Sequence, residues 1–130
     1  MNFSNCKNHN LIISTAIAFD PATDTLNITF PNGGFRNCEN VNLLIAQEIP
    51  AATTLTALVN IIIEGSTFPL TKITGLQVTA SEILSGVVYP SKVITNGVTG
   101  TFKLIVDPKC LNRCSMRLLP IEPVADGGGA

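Results

Sequence analysis

The sequence predicts an all-β fold, and three observations carry that expectation. Ile (14), Val (9) and Thr (14) make up 37 of the 130 residues. Side chains branched at Cβ are stiff at χ1 and suit a pleated surface better than a helix. Asn (12), Gly (10) and Pro (8) recur at short intervals and cut the chain into pieces of strand length. Long runs of Ala, Glu, Lys and Leu, which would build helices, are absent from the sequence. The expected architecture is a small β-sandwich or jelly-roll-like domain with extended N- and C-terminal arms. Residues 1–9 read as an arm, 10–119 as one β domain and 120–130 as a Pro/Gly-rich tail. A chain of 13.7 kDa buries about two-thirds of its unfolded surface, enough for one independent core.

Residues 10–19 (NLIISTAIAF) read as the first strand, and DPATD (20–24) as a turn with Pro21 where φ near −65° is wanted. In TLNITF (25–30), Leu26, Ile28 and Phe30 share one face, so strand, turn and strand predict a hairpin. PNGG (31–34) stops the strand, and 35–40 is a polar connection. VNLLIAQEI (41–49) reads as a strand ended by Pro50. LTALVNIIIE (55–64) is apolar at nearly every position. That pattern fits a strand buried on both faces, or one with a face on the core and a face on a partner. A turn at 64–66 leads into TFPLTKI (67–73) and a short extended piece at 74–79. ASEIL (80–84) reads as one helical turn with Ser81 as N-cap and Gly86 as its stop. VVYPSKVIT (87–95) is extended, with Pro90 arguing for an edge or a bulge. The Asn96-Gly97 pair marks a tight turn before TFKLIVD (101–107). Residues 108–114 read as a connector and SMRLL (115–119) as a last strand. No segment is long enough for the crossover helix of a βαβ unit.

Charged residues are 13% and the net charge is −1, against about 25% charged in ordinary domains. The scattered signs exclude a chain built for nucleic acid or an anionic membrane. A surface so poor in charge suits a subunit largely covered by neighbours. No signal peptide is read in the polar start MNFSNCKNHN, and no apolar run reaches 18 residues. The chain is therefore expected to be made in the cytoplasm.

The candidate sites are few. Cys6, Cys38, Cys110 and Cys114, with Cys6-x-x-His9 and Cys110-x-x-x-Cys114 spacing, allow three readings. Reduced thiols come first, disulfide cross-links within or between subunits second, and a zinc site of four thiolates or of three thiolates and His9 third. His9 is the single histidine, and the nine carboxylates are scattered. Together they leave too few groups for a catalytic constellation, so no enzymatic activity and no cofactor are expected. No phosphate-binding glycine motif occurs. Leu55, Leu58, Val59, Ile61, Ile62 and Ile63 on the apolar segment are the expected assembly contacts.

Residues 49–106 add a resemblance. Ile49-Pro50-Ala51, the apolar strand, Phe68-Pro69-Leu70, Ser91 to Thr95 and Gly100-Thr101-Phe102-Lys103-Leu104 resemble small β-proteins of Firmicutes and their phages. These are proteins of the capsid decoration, or auxiliary head protein, type. The resemblance implies a non-enzymatic subunit of a virion whose partners are further copies of itself and a major capsid or other scaffold protein. The chain also looks somewhat like the Cys-linked jelly-roll subunits of spore appendages, which implies a spore or cell-surface filament as the alternative. A small carbohydrate- or metal-binding module is the third reading.

Overall fold

The computed structural model describes residues 11–96 and 98–112. Among the described residues eight strands form: β1 (Leu11–Ile13), β2 (Ala16–Asp20), β3 (Thr25–Thr29), β4 (Asn40–Leu44), β5 (Leu58–Ile63), β6 (Ser66–Thr71), β7 (Val88–Thr95) and β8 (Gly100–Leu104). They make one curled mixed sheet in the order β1-β4-β7-β8-β6-β5-β3-β2. The chain is all-β. Three neighbouring pairs, β1/β4, β3/β5 and β6/β8, are parallel. Each of these connections passes through strands elsewhere in the sheet instead of through a helix.

The expected single strand over 10–19 is two strands. β1 and β2 lie at opposite ends of the sheet order, yet only Ser14 and Thr15 separate them. The two ends must therefore lie close together, which is what curls the sheet. Consecutive amides face different halves: the Ser14 N–H donates to the Leu44 carbonyl at 2.9 Å, and the Thr15 N–H to the Thr29 carbonyl at 2.8 Å. The buried Ser14 hydroxyl accepts from the Ala46 N–H and donates to Gln47 Oε1. The Gln47 amide closes back on the Ser14 carbonyl. A serine at this bend satisfies backbone groups that a strand ladder would otherwise take. The same contacts draw residues 45–47 out of β4, so that strand ends at Leu44, earlier than its apolar run.

β6 makes the second corner. Residues 66–69 pair with β5, and residues 70–71 pair with β8. The hairpin between β5 and β6 turns through Glu64 (φ 54°) and Gly65 (φ 79°), the two positive φ values that a two-residue turn matching the strand twist requires. Alternate residues of β3, β4, β5, β7 and β8 point inward and form one core across both halves. Leu26, Ile28, Val59, Ile61, Leu43, Tyr89 and Leu104 are all essentially inaccessible.

Three local expectations are corrected. The helical turn is a 3-10 turn over Ala80–Glu82, capped by Thr79 and not by Ser81. The Thr79 N–H donates to the Glu82 carboxylate at 3.0 Å, and this reciprocal contact outcompetes a hydroxyl lying inside the turn. Pro90 is neither at an edge nor at a bulge; β7 pairs with β4 on one side and β8 on the other. Its carbonyl, which accepts from the Ile105 N–H, faces β8 where that strand ends, so the missing N–H interrupts no ladder. Residues 108–112, read as a connector, are helical. The expected strand at 115–119 and the tail at 120–130 lie outside the described residues, as do residues 1–9.

Candidate functional surface

Among the expected assembly contacts, Val59, Ile61 and Ile63 belong to the chain's own core. β5 is an interior strand between β3 and β6, and its odd-numbered residues point inward. These three are thereby corrected: no neighbour can reach them in this fold. Leu55 and Leu58 are exposed and Ile62 half-buried. Cys38 and Cys110 are exposed and free, whereas Cys6, His9 and Cys114 lie outside the described residues. Among the described residues no group of three His, Cys, Asp or Glu side chains is placed to hold a metal ion. No helix among them is long and apolar enough to cross a membrane.

The outer face of β1, β4, β7 and β8 is more apolar than its inner packing requires. Ile12, Leu43, Tyr89 and Leu104 face the core, so strand alternation turns Leu11, Ile13, Leu44, Val88 and Pro90 outward. The register sets Ile13, Leu44 and Val88 in one row. Leu11, Asn42 and Pro90 form the next row, with Ile105 beside Pro90. Leu11, Ile13, Val88 and Ile105 are each 40–46% exposed. The following row sets Asn40, Lys92 and Lys103 side by side, and two like charges directly opposite each other repel. The outer face of β3 and β5 is different. Asn60 donates to Asn27 Oδ1 at 3.2 Å, and Gln77 donates to Asn60 Oδ1 at 2.9 Å, so this face holds its own polar side chains together. A clue to the apolar face lay in the Leu43-Leu44 and Val87-Val88 doublets, where one residue of each pair must face out.

A seam opens where β6 and β8 separate. The Phe30 N–H donates to the Ile62 carbonyl, so Ile62 faces β3, and Ile61 and Ile63 face β6. Ser66 and Phe68 are their partners, which leaves Thr67 and Pro69 facing β8. Pro69 has no N–H, and the β6/β8 ladder accordingly consists of two pairs, Leu70/Phe102 and Thr71/Lys103. Beyond them the two strands diverge toward their hairpin turns. Between them lies a cavity of about 150 Å3, walled by Phe35, Phe68, Phe102, Ile63 and Val93. Phe35 and Phe68 each meet Phe102 edge to face, with ring centroids 5.7 and 5.9 Å apart. A shallow groove continues over Thr67, Pro69, Asn96 and Thr99. Among the described residues, Glu64 is the one charged side chain lining either space. The three rings come from three separate segments, and no spacing in the sequence announces the pocket.

Two buried polar groups brace this scaffold. Burial pushes the Glu82 carboxyl up, but the Lys72 ammonium at 2.8 Å and the Thr79 N–H outweigh it and hold the group below its ordinary value. Burial pushes the Tyr89 phenol up to about 12, against the opposing effect of the Leu84 N–H that it accepts.

No family model, curated protein or solved structure matches the chain.

Proposed function

We propose that the chain is a non-enzymatic structural subunit of a large symmetric assembly, with a virion decoration or minor structural protein as the first assignment. The observation that carries this reading is the pair of apolar rows on the outer face of β1, β4, β7 and β8. These rows have nothing of the described chain over them, although the inner face of the same strands already fills the core. Contiguous apolar surface of this kind marks interaction sites, and the low overall charge offers little opposition to association. The Lys92/Lys103 pair adds a requirement: a partner carboxylate seated there relieves the repulsion. The virion assignment draws on the resemblance of residues 49–106.

The test is the native mass by light scattering of the full chain under reducing conditions, alongside Val88→Asp. A closed oligomer or larger assembly that Val88→Asp reduces supports the reading. A 13.7 kDa particle that persists at high concentration rejects it.

The exposure of both Cys38 and Cys110 favours a second reading, a cross-linked subunit of a spore or cell-surface filament. In that case multimers survive boiling in detergent and collapse on adding reductant.

A further inference from the structure

We propose that the seam between β6 and β8 is the acceptor for residues 1–10 of a second copy of the chain, with Phe3 entering the phenylalanine-walled pocket. The proposal rests on the subunit reading above and adds a second contact to the outer apolar rows of β1, β4, β7 and β8.

The pocket sets the first requirement. The phenylalanine-walled pocket measures about 150 Å3, the size of an engineered apolar cavity that takes one benzene ring, and opens into a groove of about 780 Å3. The pocket's occupant is therefore one ring or one branched aliphatic group. The seam sets the second requirement. Pro69 ends the β6/β8 ladder, and the backbone of Thr67 faces the gap with no strand partner on that side among the described residues. A segment that supplies backbone N–H groups can add along such an edge, and proline cannot. Charge sets the third: Glu64, alone among the described lining residues in being charged, favours a cationic segment without carboxylates.

Residues 1–10, MNFSNCKNHN, meet all three. They hold one phenyl ring (Phe3), one lysine (Lys7), no proline and no carboxylate. Residues 115–124 do not, because Pro120, Pro123 and Glu122 interrupt them. Length also agrees: ten residues span up to about 34 Å, roughly the diameter of a small domain. The segment can therefore leave its own subunit and reach the next. A contact between two different surfaces of the same chain is head-to-tail, and such contacts generate rings or filaments.

Two glycines supply the test. A side chain at Gly33, which lines the pocket, would meet the Phe35 ring at 3.7 Å, an ordinary contact, whereas one at Gly34 meets nothing within 4 Å. Gly33→Leu thus plugs the pocket and Gly34→Leu serves as its control, with thermal unfolding of each confirming the fold. Light scattering is run on the full chain, Phe3→Ala, Gly33→Leu and Gly34→Leu over a concentration series. Phe3→Ala and Gly33→Leu are each expected to raise the concentration for half-assembly about ten- to a hundredfold; Gly34→Leu leaves it unchanged. At a concentration where both variants are monomers, mixing Phe3→Ala with Gly33→Leu yields one-to-one pairs and nothing larger, since each brings one working half. The proposal is overturned if the wild-type chain assembles and both variants assemble equally well, or if the mixture forms no pairs. It is also overturned if both variants lower the melting temperature without changing the mass, which places Phe3 in its own chain's pocket. A wild-type chain that is monomeric throughout rejects the subunit reading itself.

Discussion

Tyr89→Phe isolates the tie between the two polar ends of the core. The Tyr89 side chain is fully buried, and its hydroxyl accepts from the Leu84 N–H at 2.7 Å and donates to Asn112 Oδ1 at 2.5 Å. Asn112 in turn donates to the Glu82 carbonyl at 2.9 Å. One oxygen therefore joins β7, the exit of the 3-10 turn and the helical residues 108–112. Phenylalanine keeps the ring packing and removes both bonds. At about 1–1.5 kcal/mol for each group left without its partner, the loss is about 2–3 kcal/mol. For a domain of about a hundred residues that lowers the melting temperature by roughly 8–12 °C. The pH dependence carries a second signature. The folded-state value is raised from 10.0 to about 12, so this group's contribution is complete below pH 10 and is lost as pH rises toward 12. The full loss is about 3 kcal/mol. Urea unfolding of wild type, Tyr89→Phe, Asn112→Ala and the double variant at pH 7 and pH 11 measures all of this. The single variants should be non-additive, and the wild type should lose more stability than Tyr89→Phe between the two pH values. A Tyr89→Phe protein within about 0.5 kcal/mol of wild type at pH 7, with the same alkaline loss, would refute the reasoning.

Ile61→Ala, at a position 1% exposed, should cost about 2–5 kcal/mol in urea unfolding. Val88→Ser on the outer face should cost under about 0.5 kcal/mol. Equal costs would contradict the inward assignment of β5. Lys72→Met leaves the Glu82 carboxylate buried without its cation, a loss of about 1–3 kcal/mol at pH 7. Because the folded value of Glu82 lies below 4.5, its contribution is present above pH 4.5 and fades as pH falls. The wild-type and Lys72→Met stabilities should thus converge on acidification; a constant gap would exclude the ion pair as the cause. Pro69→Val supplies the missing donor opposite β8. It should protect an added amide from hydrogen exchange at the seam with a stability change within about 1 kcal/mol, and absence of that protection would show that proline does not end the ladder.

The local pattern reached as far as the elements and no further. The Asp20–Asp24 hairpin was legible because Pro21 and the alternation of Leu26, Ile28 and Phe30 act within a few residues. The Glu64-Gly65 turn was legible for the same reason. The bend at Ser14 was not, because it depends on Ala46 and Gln47, some thirty residues away. Parallel pairing was equally hidden, since each parallel ladder joins strands that are not consecutive. The apolar run at 55–64 reads equally as two buried faces or as one face on the core and one on a partner, because Leu58 and Ile62 look in sequence like Val59 and Ile61. Period two separates them only once β5 is known to be an interior strand with Asn60 bonded to Asn27 and Gln77. For the candidate site, the sequence picked out Leu55, Leu58 and Ile62, which are accessible to different degrees, and missed the outer rows that cross four strands.

The two prolines inside the sheet share one logic that ties fold to surface. Both flank β8, and both turn their nitrogen toward it: Pro90 beside Ile105, where β8 stops, and Pro69 opposite the start of β8. A proline in the middle of a paired strand would waste an acceptor on its neighbour. Placed at the two ends of β8, each instead decides where pairing stops. At the Pro90 end the chain turns away toward residues 108–112 and is tied down by Tyr89 and Asn112. Among the described residues the Pro69 end has no such tie; the strands part above three phenylalanine rings and leave a backbone edge beside the pocket they wall. An unpaired edge is a hazard in a free monomer. It becomes a specific contact when one occupant fits both the edge and the pocket. The same device therefore limits a strand within the chain and, under the proposal above, marks where a second copy docks.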